Sequence, residues 1–194
     1  IMVGMGLKVA IFPLHLWLPN AYTYAPSAIT SFLAATATKV AIYVMLRFLF
    51  SVFQPGFLAE VPTLDLILYP FAILAMFAAS YTAILQRDLK RMLAYSSIGQ
   101  VGYMLLGIAL LSESGLMATM IHLFNHGITK AALFMGVGVY VLNGGGSFYH
   151  NLRGRGKTMP WTSAAMVVAG LSLIGVPGTA GFLSKWLLVE ATLE

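Results

Sequence analysis

His122-Leu-Phe-Asn-His126-Gly-Ile-Thr-Lys130 sits inside an apolar stretch that runs from about 115 to 142. A stretch of that length exceeds the ~20 apolar residues a helix needs to cross a bilayer. The three polar residues follow an i, i+4, i+8 spacing, so on a helix they line one face. Outside this segment the pattern repeats. Apolar segments are expected at about 1–18, 27–51, 64–85, 92–111, 115–142 and 161–191. They are too long, and alternate too little, to be strands of a membrane barrel. The fold class is therefore all-α, a polytopic membrane helix bundle. Residues 1–194 are read as one transmembrane domain and as a fragment of a longer membrane protein.

Composition agrees. The chain is 59% apolar and 9% charged, against about 25% charged residues in soluble domains. There is too little charge to cover a soluble exterior, and the lipid bilayer is the expected surroundings. The net charge of +5 does not form one basic run, so nucleic acid is not an expected partner. Cysteine is absent, which excludes disulfides and thiolate metal sites. No phosphate loop, dinucleotide fingerprint or nucleophile elbow is present. No cofactor is expected, and the chain itself carries no catalytic chemistry.

The connections at 19–26, 54–62 and 143–160 are short, polar, or rich in Gly and Pro. Arg87, Lys90 and Arg91 fall in one loop, and Arg153, Arg155 and Lys157 in another. If all six segments span, both loops lie on one face, opposite Glu60, Asp65 and Glu113. Basic short loops favour the cytoplasmic side, so loops 86–91 and 143–160 are expected there. Two segments contain breakers: Pro13 in the first, and Gly175-Val-Pro-Gly178 in the sixth. Irregular backbone at membrane depth is tolerated only where protein or a water-filled cavity receives it. Broken helices in matching places point to a transport site.

Lys8, Lys39, Lys130 and Lys185 each lie in a different apolar segment. An ionised side chain at the bilayer centre costs roughly 2.5–3.5 kcal/mol on insertion scales. The acidic residues within candidate spans, Asp65 and Glu190, sit at span ends. The lysines must then be hydrated, neutralised or paired from outside the chain, and water chains between such groups make a proton path. Snorkelling is the alternative for Lys8 and Lys185. The His122, His126, Lys130 stripe suits lengthwise proton transfer, because histidine titrates near neutral pH. Interhelical hydrogen bonding is its alternative. No glutamate follows His122 as in HExxH and no third ligand is evident, so no metal is assigned. His15, beside Pro13, either orients water at the break or caps freed backbone groups. Arg47 reads as a snorkelling end residue, and Asp88, Lys90 and Arg91 as an interfacial anchor. His150 and 153–157 have no assigned chemistry.

Five stretches, in order, carry a family resemblance. They are Lys8 with Phe12-Pro-Leu-His-Leu-Trp-Leu-Pro19 and Ala25-Pro26; Lys39-Val-Ala-Ile-Tyr through Arg47; Asp88-Leu-Lys-Arg-Met-Leu-Ala-Tyr-Ser-Ser97; His122 through Lys130; and Gly175-Val-Pro-Gly-Thr-Ala-Gly-Phe-Leu-Ser-Lys185-Trp186. The chain resembles the antiporter-like membrane subunits of respiratory complex I, Mrp-type sodium/proton antiporters and membrane-bound hydrogenases. The resemblance implies a fold of about fourteen helices with two inverted repeats, of which this chain matches helices seven to twelve. It implies a hydrated proton-transfer axis through Lys8, Lys39, His122, His126, Lys130 and Lys185, with His15 as an accessory. It also implies a helix-five glutamate, upstream of this chain, as the partner of Lys8.

Within the family the chain looks most like the D-type component of the Mrp antiporters. A proton-pumping subunit of an NADH-quinone oxidoreductase or a membrane-bound hydrogenase is the alternative, and a non-conducting structural subunit a second one. A metal-dependent membrane enzyme using the histidine pair is a third. Other membrane subunits are the implied partners. Protons are the implied transported ion, with sodium a candidate beside them, and a bacterial or archaeal plasma membrane is the implied location.

Overall fold

The computed structural model describes residues 2–52, 63–144 and 146–193. The connection at 54–62, with Glu60, lies outside them, as does the Asp65 side chain. Regular structure among the described residues is helical, apart from one bridge between Asp88 and Phe148. In chain order the helices are α1 (Met2–Val9), α2 (Trp17–Tyr24) and α3 (Ser27–Arg47), which runs into a π-helical turn, Phe48–Val52. Then come α4 (Thr63–Ile84), α5 (Leu89–Ala109), α6 (Glu113–Gly144), α7 (Tyr149–Leu152), α8 (Arg155–Thr158), α9 (Pro160–Ile174) and α10 (Ala180–Leu193). Among the described residues, Ser27–Val52, Leu66–Ile84, Leu89–Ala109 and Glu113–Gly144 are long and apolar enough to cross a membrane.

Segment 1–18 is not one helix. α1 stops at Val9, Ala10 takes a left-handed φ of 64°, and the Phe12–Pro13 peptide is cis. Pro13 cannot continue the α1 ladder because it has no N–H to give. The Trp17 indole donates to the Leu7 carbonyl at 2.8 Å, a backbone group near the end of α1. The chain then turns helical again, so much of the stretch expected as a connection, 19–26, is α2. Pro19 is allowed there because it falls in the first turn, where backbone donors have no helical acceptor.

The other break falls at Gly175. It closes α9 in the left-handed region, with φ 91°. Its N–H and that of Val176 both donate to the Leu171 carbonyl, at 3.0 and 3.1 Å. Gly has no Cβ to clash in that conformation, which is why it ends helices so often. α10 begins only after this break, at Ala180, so segment 161–191 is two helices rather than one.

α6 is the central element and packs against α3, α5, α9 and α10. Its 32 residues make a rod about 48 Å long. Ser112 starts it, the hydroxyl accepting from the Gly115 N–H at 3.0 Å, and Glu113 in the first turn complements the helix dipole. α4 lies along α5 at very close range: a Cβ on Gly102 would come within 2.8 Å of the Ala72 carbonyl oxygen.

Two apolar clusters flank the interior. One gathers Val9, Ile42, Met45, Met104, Leu105 and Ile108. The other gathers Leu18, Tyr22, Ile98, Phe134 and Val137. Outward faces carry Phe32, Phe77, Tyr81, Phe124 and Trp161, a surface suited to hydrocarbon rather than water.

Candidate functional site

The polar residues of α6 point into the bundle. His122 and His126 are 3% and 2% exposed, and Lys130 is fully buried. The two imidazole rings are parallel, 6° apart in plane, with centroids 6.1 Å apart. His122 Nε2 lies 3.0 Å from Gln100 Oε1 on α5, and Nδ1 lies 2.9 Å from Ser184 Oγ on α10. Both nitrogens of His122 are thus engaged by side chains of the bundle. His126 has no hydrogen-bond partner at either ring nitrogen among the described residues. It faces a small cavity shared with Gln100, His122, Asn125, Thr129, Ser172, Leu173 and Gly181. The cavity volume is about 10 Å³, close to the volume one water molecule requires.

Lys130 reaches from α6 to α5, donating to the Leu93 carbonyl at 2.6 Å and to Ser96 Oγ at 2.5 Å. Neither contact is a counter-ion. Both are acceptors that a neutral amine also satisfies, so the site does not force the charged state.

Lys39, 6% exposed on α3, donates to Ala34 O and Thr38 Oγ1 of its own helix. Its methylene stem runs over Gly127, where an added Cβ would sit 3.8 Å from Lys39 Cε. That is ordinary contact; the close approach the glycine permits is to the α3 backbone, where an added Cβ would lie 3.2 Å from the Ala35 carbonyl oxygen.

Lys185, half-buried on α10, turns back across the break. It donates to the carbonyls of Leu173 and Ile174, at 3.0 and 2.9 Å, at the C-terminus of α9. Those carbonyls lack intrahelical donors, and the helix dipole places negative potential there. The same ammonium lies 5.0 Å from the Tyr103 ring centroid, within cation–π range. Breaking the sixth segment thus creates the acceptors that hold its lysine.

Lys8 does not join this cluster; its side chain is exposed on α1. His15 is 8% exposed, stacks on Phe12 at 5.1 Å and meets the edge of Tyr95 on α5. Its Nδ1 has no partner among the described residues.

Asp88 and its neighbours do more than anchor. Asp88 caps α5 through the Arg91 N–H at 3.0 Å and accepts from Ser147 Oγ at 2.5 Å. Leu89 N donates to Ser147 O, and Tyr149 N to Arg87 O, which ties the two basic loops together. Lys90 donates to Ala25 O just beyond α2, at 3.2 Å. Arg155 caps the end of α6 through the Asn143 carbonyl at 2.8 Å. The Tyr149 phenol is pushed up from its ordinary pKa, by burial first and by the Asp88 carboxylate second.

Sequence reasoning missed Gln100, Ser184, Ser96 and Tyr103. Gln100 carried a usable signal, being an amide inside an apolar segment. The others are indistinguishable in sequence from ordinary helix residues.

The family described as NADH:quinone oxidoreductase/Mrp antiporter, TM, matches residues 1–194. The N subunit of the NADH-quinone oxidoreductase of Desulforudis audaxviator is 43% identical over 100% of this chain and 38% of its own length. The D subunit of the Na(+)/H(+) antiporter of Alkalihalophilus pseudofirmus is 36% identical over 98% of this chain and 38% of its own. A solved chain of the Mrp complex from a Dietzia species superposes with a TM-score of 0.91 at 30% identity, covering 99% of this chain and 35% of that one. The chain thus spans well under half the length of the relatives it matches.

Proposed function

Because this chain belongs to the NADH:quinone oxidoreductase/Mrp antiporter family of membrane proteins, we propose that it forms the proton-conducting part of a larger antiporter-like subunit. The observation that carries this reading is the convergence of Lys39, His122, His126, Lys130 and Lys185 around α6. The four helices named as packing on it, α3, α5, α9 and α10, all contribute, and carbonyls, hydroxyls and an amide hold the polar groups in place. Groups held by neutral acceptors can change protonation without breaking an ion pair, which a relay requires. Protons pass along the row His122, His126, Lys130, with Lys39 and Lys185 flanking it on α3 and α10. Lys8 and His15 would join at the break between α1 and α2.

The parent is a multisubunit cation/proton antiporter in a bacterial or archaeal plasma membrane, with this chain in its D-type component and other membrane subunits as partners. The likeness to the antiporter's D subunit and to the Mrp complex supports this. The basic loops 86–91 and 143–160 face the cytoplasm. Sodium is the expected counter-transported ion. A second reading, a proton-pumping component of an NADH-quinone oxidoreductase, is favoured by the 43% identity to an N subunit.

Proton flux in vesicles containing the parent complex tests the relay through Lys130→Met. Loss of flux from an assembled complex supports it, and full flux contradicts it.

A further inference from the structure

Ser184 lies between two acceptors and has one proton to give. Its Oγ is 2.9 Å from His122 Nδ1 and 3.1 Å from the Gly181 carbonyl oxygen, one turn back on α10. Ser184 is fully buried. His122 Nε2 faces Gln100 Oε1, which as an amide oxygen only accepts. The imidazole therefore carries its resident proton on Nε2.

We infer that Ser184 is a hydroxyl rotor that positions His122 for both of its protonation states, a role that rests on the relay reading above. In the neutral state, Nε2–H donates to Gln100 and the Ser184 hydroxyl donates to Nδ1. A transported proton reaches Nδ1 by way of the hydroxyl: Ser184 Oγ takes a proton from the preceding group through water as its own hydrogen passes to Nδ1, and the hydrogen now on Oγ turns to Gly181 O. The new Nδ1–H bond then donates to Ser184 Oγ, whose own hydrogen stays directed at Gly181 O. Every one of these buried polar groups is satisfied before and after, and only one torsion has changed. When the proton leaves Nδ1 for the next group, the hydroxyl turns back.

Such an arrangement matters because an unmet donor in a dry interior is costly. The titratable and charged groups around His122 are His126 and Lys130 on α6, Lys39 on α3, Lys185 on α10 and Tyr103 on α5. α9 contributes none. None of these side chains is hydrogen-bonded to a ring nitrogen of His122: Nδ1 meets Ser184 Oγ and Nε2 meets Gln100 Oε1, so the acceptor at Nδ1 is the one Ser184 offers.

The test is the pH dependence of proton flux in vesicles containing the parent complex, for Ser184→Ala, Ser184→Thr and Lys39→Met. Ser184→Ala removes the acceptor for the second N–H. The charged imidazole is then disfavoured, and the profile should move to lower pH by about one unit, the size of a lost hydrogen bond to a charged group. Ser184→Thr keeps the hydroxyl and should restore the parental profile. An unshifted profile in Ser184→Ala, whether flux is full or uniformly reduced, overturns the rotor. If Ser184→Ala does not assemble, Ser184→Cys replaces it: the thiol is a weaker acceptor of similar shape, and an unshifted profile there overturns the rotor equally. Full flux in Lys39→Met refutes the underlying relay instead, so the two failures are told apart.

Discussion

The Lys185 ammonium stands 5.0 Å from the Tyr103 ring centroid while donating to the last carbonyls of α9. The aromatic face on α5 and the end of α9 thus hold one cation of α10 without a carboxylate. Replacing Tyr103 with Phe keeps the ring and should leave flux near the parental level. Tyr103→Leu removes a contact worth about 0.5–2 kcal/mol and should slow flux several-fold. Initial rates in vesicles, normalised to assembled complex, separate the two.

Gly175 supports the same lysine from below. Its φ is 91°, and an added Cβ would lie 3.1 Å from Lys185 Cδ. Gly175→Ala meets a left-handed backbone penalty of roughly 1–2 kcal/mol together with that crowding. The expected result is a lowered unfolding midpoint of the solubilised complex and reduced flux. Gly170, inside α9 with no atom within 4 Å of an added Cβ, is the control position, and its alanine variant should hold or raise the parental midpoint.

Asp88 joins the start of α5 to the loop after α6 through Arg91 N and Ser147 Oγ. Loss of an N-cap side chain costs about 0.5–2 kcal/mol. Asp88→Ala should therefore lower thermal stability by about that amount. Ser147→Ala, which leaves the cap in place, should lower it less. Thermal unfolding of the purified complex measures both.

This stretch of chain has no cysteine, so single cysteines placed in it, with any cysteines elsewhere in the parent complex replaced, test sidedness. Single cysteines at Arg87 and Arg153 should react with a membrane-impermeant thiol reagent added from the cytoplasmic side. One at Glu113 should react only from the other side. The reverse pattern would contradict the assigned orientation while leaving the buried row untouched.

Helix content, the two breaks and the His122, His126, Lys130 face were legible because each has a local cause. A long apolar run, a proline or a left-handed glycine, and a four-residue spacing all act on the chain nearby. What lay hidden was which apolar face turns inward. In a bilayer both the buried and the lipid-facing sides are apolar, so periodicity carries little information about burial. Lys8 and Lys39 look alike in sequence, yet Lys39 is buried against α6 and Lys8 is exposed. Ser184 and Gln100 became visible only when α5 and α10 were placed on either side of His122, because their roles depend on tertiary contact. The helical stretch Trp17–Tyr24 was obscured by its proline, which reads as a breaker unless it falls in a first turn.

The most direct measurement is proton flux in vesicles containing the full-length parent complex, parental against Lys39→Met, with assembly checked in parallel. Lys39 is buried, and its hydrogen bonds go to acceptors of its own helix, so its removal should spare the fold. The account predicts loss of flux from a complex that assembles normally. Normal flux in that variant would contradict it and leave the buried lysines with a structural role.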